Sequence, residues 1–308
     1  MYPIYKRMHQ TFYSHGKLML AGEYAVLHGA VCFSLPVKKG QKMITEFTES
    51  DNYSIDWSSF GVDGDCWFSC LLSLPNLIVL ETNDRHIALH LQRFLINAKV
   101  LNPFFLAKKG NYKVDNYLEF DLQDGFGSSS TLTNNIAQWA NINPFALHFN
   151  AFKGSGFDVA VAQIGKPLLY TMNGSEPKIE VVNWNKNFTD KLFFIHLNKK
   201  QNSRQSISEN SRHPTISQVM QLSKLSKLIA INEDYFEFCL LIELAETETS
   251  EFLNKPTIKQ ELFNDFKGSI KSLGAWGGDY ILATGENTEN YFKEKGFNKI
   301  YTFKDLID

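Results

Sequence analysis

Asp121-Leu122-Gln123-Asp124-Gly125-Phe126-Gly127-Ser128-Ser129-Ser130-Thr131 is the stretch on which the fold assignment turns. Upstream, Tyr112, Val114, Leu118 and Phe120 fall on one face at period two, with Lys113, Asp115 and Glu119 on the other, the pattern of a half-buried strand. Downstream, Leu132, Ile136, Ala137 and Trp139 recur at helical spacing. The order is therefore strand, small-residue loop, helix. Glycines let backbone approach an anion, and a helix start offers unpaired N–H groups and the positive end of the dipole, so the loop suits a phosphate. The same residues also suit an ordinary helix N-cap, and the loop alone does not decide between the two.

Further out, helix-period segments (Ile87 to Ala98, Gln218 to Ile231) alternate with strand-like runs such as Lys191 to Leu197, which predicts a mixed α and β fold. No heptad, internal repeat or long Pro/Gly/Ser linker interrupts them. Turn formers at Asn173-Gly174-Ser175 follow the apolar run Pro167 to Met172 and set the expected domain division there, giving domains 1–173 and 174–308. The polar stretch Asn198 to Pro214 reads as a surface loop.

Composition removes several function classes. Of 308 residues, 44% are apolar and 21% charged, as in folded globular proteins. Lys plus Arg number 31 against 33 acids, so no basic excess favours nucleic acid, and an anionic ligand must be held by locally placed groups. The most apolar stretch, Leu71 to Leu80, is broken by Ser73, Pro75 and Asn76 and is about half the length of a membrane span. The N-terminal residues lack the apolar core of a secretory signal, and Cys32, Cys66, Cys70 and Cys239 suit a reduced cytoplasm. A cytoplasmic protein without a membrane or nucleic-acid partner is expected, and a homodimer remains open. The P-loop pattern, the third glycine of the dinucleotide fingerprint and the protein-kinase motifs are all missing.

Near the start, Ser14-His15-Gly16-Lys17-Leu18-Met19-Leu20-Ala21-Gly22-Glu23-Tyr24-Ala25-Val26-Leu27-His28-Gly29 resembles the first motif of the GHMP kinases, the family of galactokinase, homoserine kinase, mevalonate kinase and phosphomevalonate kinase. Gly22 to Leu27 is most similar to the phosphomevalonate kinase version, while His28-Gly29 looks more like mevalonate kinase. Gly125 to Ser130 resembles the second motif, G-L-G-S-S-A, and Lys271-Ser272-Leu273-Gly274-Ala275-Trp276-Gly277-Gly278-Asp279 the third, K-x-T-G-A-G-x-G-G. Without the other two, the third would read as a tight turn between a helix and the strand Tyr280 to Ala283.

The resemblance implies a two-domain α+β GHMP kinase fold, with an N-terminal domain like domain 2 of ribosomal protein S5 and a ferredoxin-like C-terminal domain. It implies ATP and Mg2+ as cofactors, and a small mevalonate-pathway-like acceptor of isoprenoid biosynthesis. Gly125, Gly127, Ser128, Ser129 and Ser130 would take the nucleotide, with Ser129 as a metal ligand. Gly154-Ser155-Gly156-Phe157-Asp158 looks like the family segment S-G-x-D, which makes Asp158 the catalytic carboxylate beside the acceptor hydroxyl and Lys17 its partner at the phosphoryl group. Glu23, Tyr24, His28, Gly274, Ala275, Gly277 and Gly278 would shape the substrate site, and Lys200, Ser203 and Arg204 would hold an acceptor phosphate. Read without the family, Asp158 is a helix cap, Lys17 a solvated lysine and Glu23 a buried structural carboxylate.

Two departures matter. Mevalonate and homoserine kinases carry a Mg2+-binding glutamate upstream of S-G-x-D, whereas Ala146 to Phe152 holds no acid. In the third motif Trp276 replaces a glycine, and Asp279 stands where a small residue or Cys is common. These features keep other readings alive: a nucleotide or metabolite binder without turnover, a kinase for a sugar or homoserine, or a decarboxylase of the same fold.

Overall fold

The computed structural model describes residues 8–152, 154–173, 176–199, 212–274, 276 and 278–307. Its strands are β1 (Met8–Ala21), β2 (Cys32–Glu49), β3 (Ser54–Phe60), β4 (Cys66–Ser73), β5 (Val79–Thr82), β6 (Gly110–Leu118), β7 (Leu168–Asn173), β8 (Glu176–Val181), β9 (Phe193–His196), β10 (Ser269–Leu273), β11 (Tyr280–Thr284) and β12 (Ile300–Thr302). Its helices are α1 (Arg85–Leu101), α2 (Ser128–Ala140), α3 (Pro144–Ala151), α4 (Phe157–Ile164), α5 (Ile216–Ile231), α6 (Tyr235–Leu253), α7 (Ile258–Leu262), α8 (Thr288–Glu294) and α9 (Phe303–Leu306). None of these helices is long and apolar enough to cross a membrane.

Two compact units are woven from interleaved segments. The first takes the chain up to Gly16, Lys39–Leu122 and Gly127–Gln163; the second takes Lys17–Lys38, Gln123–Phe126 and everything from Ile164 onward. Gly174 and Ser175, where the sequence sets the domain division, lie outside the described residues, and β7 and β8 on either side pair antiparallel with each other.

In the first unit β5, β4, β3, β6 and β2 are neighbours in that order, with β3 and β6 parallel and the other pairs antiparallel. The period-two reading of the β6 region holds for Tyr112, Val114 and Leu118, all buried. The inward residues Met43, Ile55, Trp57, Phe68 and Val114 pack with Leu91, Phe94, Leu95 and Ala98 of α1 and Ile136, Ala137 and Ala140 of α2. Asp84 caps α1 by accepting from the Ile87 N–H at 3.0 Å, which explains why the expected helix from Ile87 begins two residues early.

In the second unit β9, α5–α7, β10, β11, α8 and β12 follow a β-α-β-β-α-β course into an antiparallel sheet ordered β10-β11-β9-β12. That is the ferredoxin-like arrangement expected for the C-terminal part. All residues of β10 and β11 are buried, and Ile195, Ile270, Ile281 and Ala283 meet Phe263, Phe266 and Phe292. Because Ser269–Leu273 is a strand, the third motif connects two strands of a hairpin rather than a helix and a strand.

Candidate active site

The glycine–serine loop is fastened at both ends. Gly125 and Gly127 have φ of 66° and 88°, in the left-handed region, and a Cβ at Gly125 would overlap the Asp279 carboxylate. Between them Phe126 is buried, stacks on Tyr280 with centroids 5.1 Å apart, and accepts at its carbonyl from the Lys17 N–H at 2.9 Å. Asp124 is buried too, paired with Lys299 and accepting from the Tyr280 hydroxyl at 3.4 Å. Burial, and then the Asp124 charge, push the Tyr280 phenol up, so it stays a donor.

Past Gly127 the chain enters α2 with no side-chain cap. The N–H groups of Ser130 and Thr131 and the Ser130 hydroxyl all turn back to the Gly127 carbonyl, at 3.0, 3.0 and 2.7 Å. Ser130 therefore braces the loop from a buried position, while Ser129 is exposed in the first turn. Among the described residues the Ser128 and Ser129 N–H groups have no acceptor, which leaves the α2 start ready for an anion.

A polar core that the sequence reading missed fixes α2 in the first unit. Ser14 donates to Asn135 Oδ1 at 2.7 Å, and Asn134 donates to Ser14 Oγ at 2.9 Å and to the Ala162 carbonyl of α4 at 3.2 Å. Asn135 reaches the Gln41 carbonyl at 2.9 Å, and Thr131 donates to Gln41 Oε1 at 2.6 Å. The signal was present: two adjacent amides sit in a helix among apolar residues, where burial demands partners. Through Asn134 the helix that opens at the serine loop is bonded to the helix that carries Asp158.

Asp158 lies in the first turn of α4 and is half-buried, with Oδ1 accepting from the Val159 N–H at 3.2 Å. The helix begins at Phe157, so Asp158 stands inside it rather than at a capping position before Val159. Asp158 belongs to the first unit and Lys17, half-buried on β1, to the second.

The second unit brings the first and third motifs together. Glu23 is 3% exposed and its Oε1 lies 2.8 Å from Nζ of Lys271, whose side chain is fully buried. Glu246 of α6 sits 3.7 Å from the same amine and accepts from Ser272 N and Oγ at 3.0 and 2.9 Å. Burial raises the Glu23 carboxyl against the opposing pull of Lys271, and the buried Glu23 Oε2 has no hydrogen-bond partner among the described residues. Tyr24, at φ 56°, accepts from the Trp276 N–H at 2.8 Å and meets Phe252 edge-on. His28 is exposed and packs edge-on against His213 at 4.9 Å; desolvation, then His213, lower its pKa. Gly274 turns at φ 76°, and among the described residues nothing beyond its chain neighbours lies within 4 Å of where a Cβ would stand. Lys200, Ser203, Arg204, Ala275 and Gly277 lie outside the described residues. Glu246, Asp124 and Lys299 went unassigned in the sequence, although an acid on the apolar side of a helix already asks for a buried partner.

No family model matches the chain, and no curated protein matches it by sequence. Solved structures do. Mevalonate kinase from Methanococcus jannaschii superposes with a TM-score of 0.67 at 16% identity, covering 96% of this chain and 97% of that one. The fold is that of the GHMP kinases. Streptococcus pneumoniae phosphomevalonate kinase, solved with phosphomevalonate and AMPPNP, gives 0.67 at 15% identity over 95% and 99% of the two chains. Lactococcus lactis galactokinase, solved with galactose, gives 0.64 at 12% identity over 95% and 92%. The GHMP fold thus accounts for nearly the whole chain, including the expected ferredoxin-like part.

Proposed function

We propose that this protein is an ATP-dependent GHMP-type kinase that transfers the γ-phosphoryl group to a small mevalonate-pathway acceptor, phosphomevalonate in preference to mevalonate. The observation that carries the reading is the start of α2: two unpaired N–H groups and an exposed Ser129, behind two left-handed glycines, on a fold shared from end to end with small-molecule kinases. Preference for phosphomevalonate rests on Gly22 to Leu27.

In this reading the Ser128 and Ser129 N–H groups and the α2 dipole hold the nucleotide phosphates. Asp158 orients the acceptor hydroxyl and accepts its proton, while Lys17 faces the charge on the transferred group. Among the described residues no cluster of three or more His, Cys, Asp or Glu is placed to hold a metal, and α3 brings no carboxylate. Those residues fit a Mg2+ that arrives on the nucleotide, with the Ser129 hydroxyl as a protein ligand. Such an ion would offset phosphate charge.

ATP consumption across mevalonate, phosphomevalonate, homoserine and hexoses tests the proposal. Turnover with phosphomevalonate above the rest is the expected result. Turnover with a hexose or homoserine replaces the acceptor, and no turnover with any of them replaces the kinase by a binder.

A further inference from the structure

His86-Ile87-Ala88-Leu89-His90 opens α1 with two histidines four residues apart. That spacing puts both side chains on one side of a helix, with Cβ atoms about 5–6 Å apart. Ala88, Leu91 and Leu95 take the inward side, which leaves His86 exposed and His90 half-buried. The two rings meet edge-on, with centroids 4.6 Å apart. The His90 ring also lies nearly parallel to that of Phe152, at 6.2 Å and 21°, and Phe152 is held in turn by Phe94 at 4.7 Å and the Arg93 guanidinium at 5.9 Å. All of these residues belong to the first unit. One imidazole is thus fixed in plane, while the other, in solvent, can turn about χ2 to bring a nitrogen beside it.

We propose that His86 and His90 form a two-imidazole binding site for a late divalent transition-metal ion such as Zn2+. Imidazole nitrogen suits Zn2+, Ni2+ and Cu2+, whereas Mg2+ prefers oxygen. Each ring gives one nitrogen to the ion, at about 2.0–2.1 Å for Zn2+, and its second nitrogen remains for the hydrogen bond that orients a metal-bound ring. Among the described residues no third His, Cys, Asp or Glu joins the pair in a ligand cluster, so water completes the coordination. Because the spacing exists only while residues 86–90 are helical, the bound ion clips the first two turns of α1. The site uses none of the residues assigned to nucleotide or acceptor, so the proposal goes beyond the kinase reading and does not depend on it.

The test is calorimetric titration of the full chain with Zn2+, without nucleotide, beside Mg2+ as the oxygen-seeking control. His28 and His213 also stand close, in the second unit, and a His28→Gln background takes that pair out of the titration. Zn2+ should bind in this background, and an equal concentration of Mg2+ should not displace it. His86→Gln, a change at an exposed position, should weaken Zn2+ binding about tenfold or more, because the second ligation is intramolecular. Amide exchange in the first two turns of α1 should slow with Zn2+ in the background protein and not in its His86→Gln derivative. Four results would overturn the proposal: no binding at millimolar Zn2+, displacement by Mg2+, unchanged affinity in His86→Gln, or unchanged α1 exchange with Zn2+ bound. Failure of the ATP-consumption panel would remove the kinase reading and leave these outcomes as they are.

Discussion

Lys271 Nζ lies 2.8 Å from Glu23 Oε1, joining residues 248 positions apart and tying the first motif to the third inside the second unit. With Glu246 at 3.7 Å, one buried ammonium serves two buried carboxylates. Removing the cation strands two charges, whereas removing one carboxylate leaves a matched pair. Lys271→Met should therefore lower stability by about 3–5 kcal/mol, and Glu23→Gln by far less, as read from urea midpoints. A loss in Glu23→Gln as large as that in Lys271→Met would mean that the triad does not act as one charge cluster.

The same carboxylate sets a pH dependence. Burial raises the Glu23 pKa above its usual 4.5, so the folded chain binds this proton more readily than the unfolded one. Its stabilising contribution is full below the unfolded value and is lost as pH rises through the folded value. Relative to wild type, Glu23→Gln should gain stability between acidic and neutral pH. Denaturant titrations at several pH values check the sign, and a flat difference refutes the assignment.

Gly125 pairs a left-handed backbone with a neighbour that leaves no room. Gly125→Ala should cost about 1 kcal/mol for the backbone alone, plus the overlap with Asp279. Adding Asp279→Gly should recover the overlap but not the backbone part. A double-mutant cycle on melting temperature measures this, and strict additivity would show that the two residues do not meet.

Asn134 bonds α2 to β1 and α4 at once. Asn134→Ala leaves the Ala162 carbonyl short of a donor in a buried site and should cost about 1–3 kcal/mol. Amide exchange should quicken in α4 more than in α1, which meets α2 through apolar side chains and a hydrogen bond from Asn102 to the Ala140 carbonyl at the far end of α2. Equal exchange in the two helices would contradict the coupling.

How much of this was legible in the sequence follows from the range of each signal. Tyr112 to Leu118 and Ile87 to Ala98 carry local periodicity, and the structure keeps both. The glycine–serine loop announced a turn before a helix, but not that Ser130 would spend its hydroxyl on Gly127 while Ser129 stayed exposed, because helical phase decides that. Lys271, Asp124 and Lys299 were opaque for another reason. Unlike Glu246, they stand outside any helical periodicity, so their burial shows only through their partners, and Lys299 meets Asp124 across 175 positions of sequence. The interleaving of the units has no local signature either, since Lys17 and Gly16 are chain neighbours assigned to different bodies.

Asp158 is the residue on which turnover should depend most. It stands in the first turn of α4, where a carboxylate interacts with the helix dipole for about 0.3–1 kcal/mol, so Asp158→Asn should move the melting temperature little. Asn can still accept the Val159 N–H, and the backbone has no reason to change. If the carboxylate takes the acceptor proton, the same substitution should lower kcat by about two or more orders of magnitude and leave ATP affinity near wild type. The two roles therefore separate cleanly: a dipole partner alone predicts a small stability loss with turnover intact, and a catalytic base predicts the reverse. Steady-state turnover with the best acceptor of the panel, set beside melting curves and nucleotide titrations of both proteins, decides between them. Wild-type turnover in the variant would take Asp158 out of the mechanism.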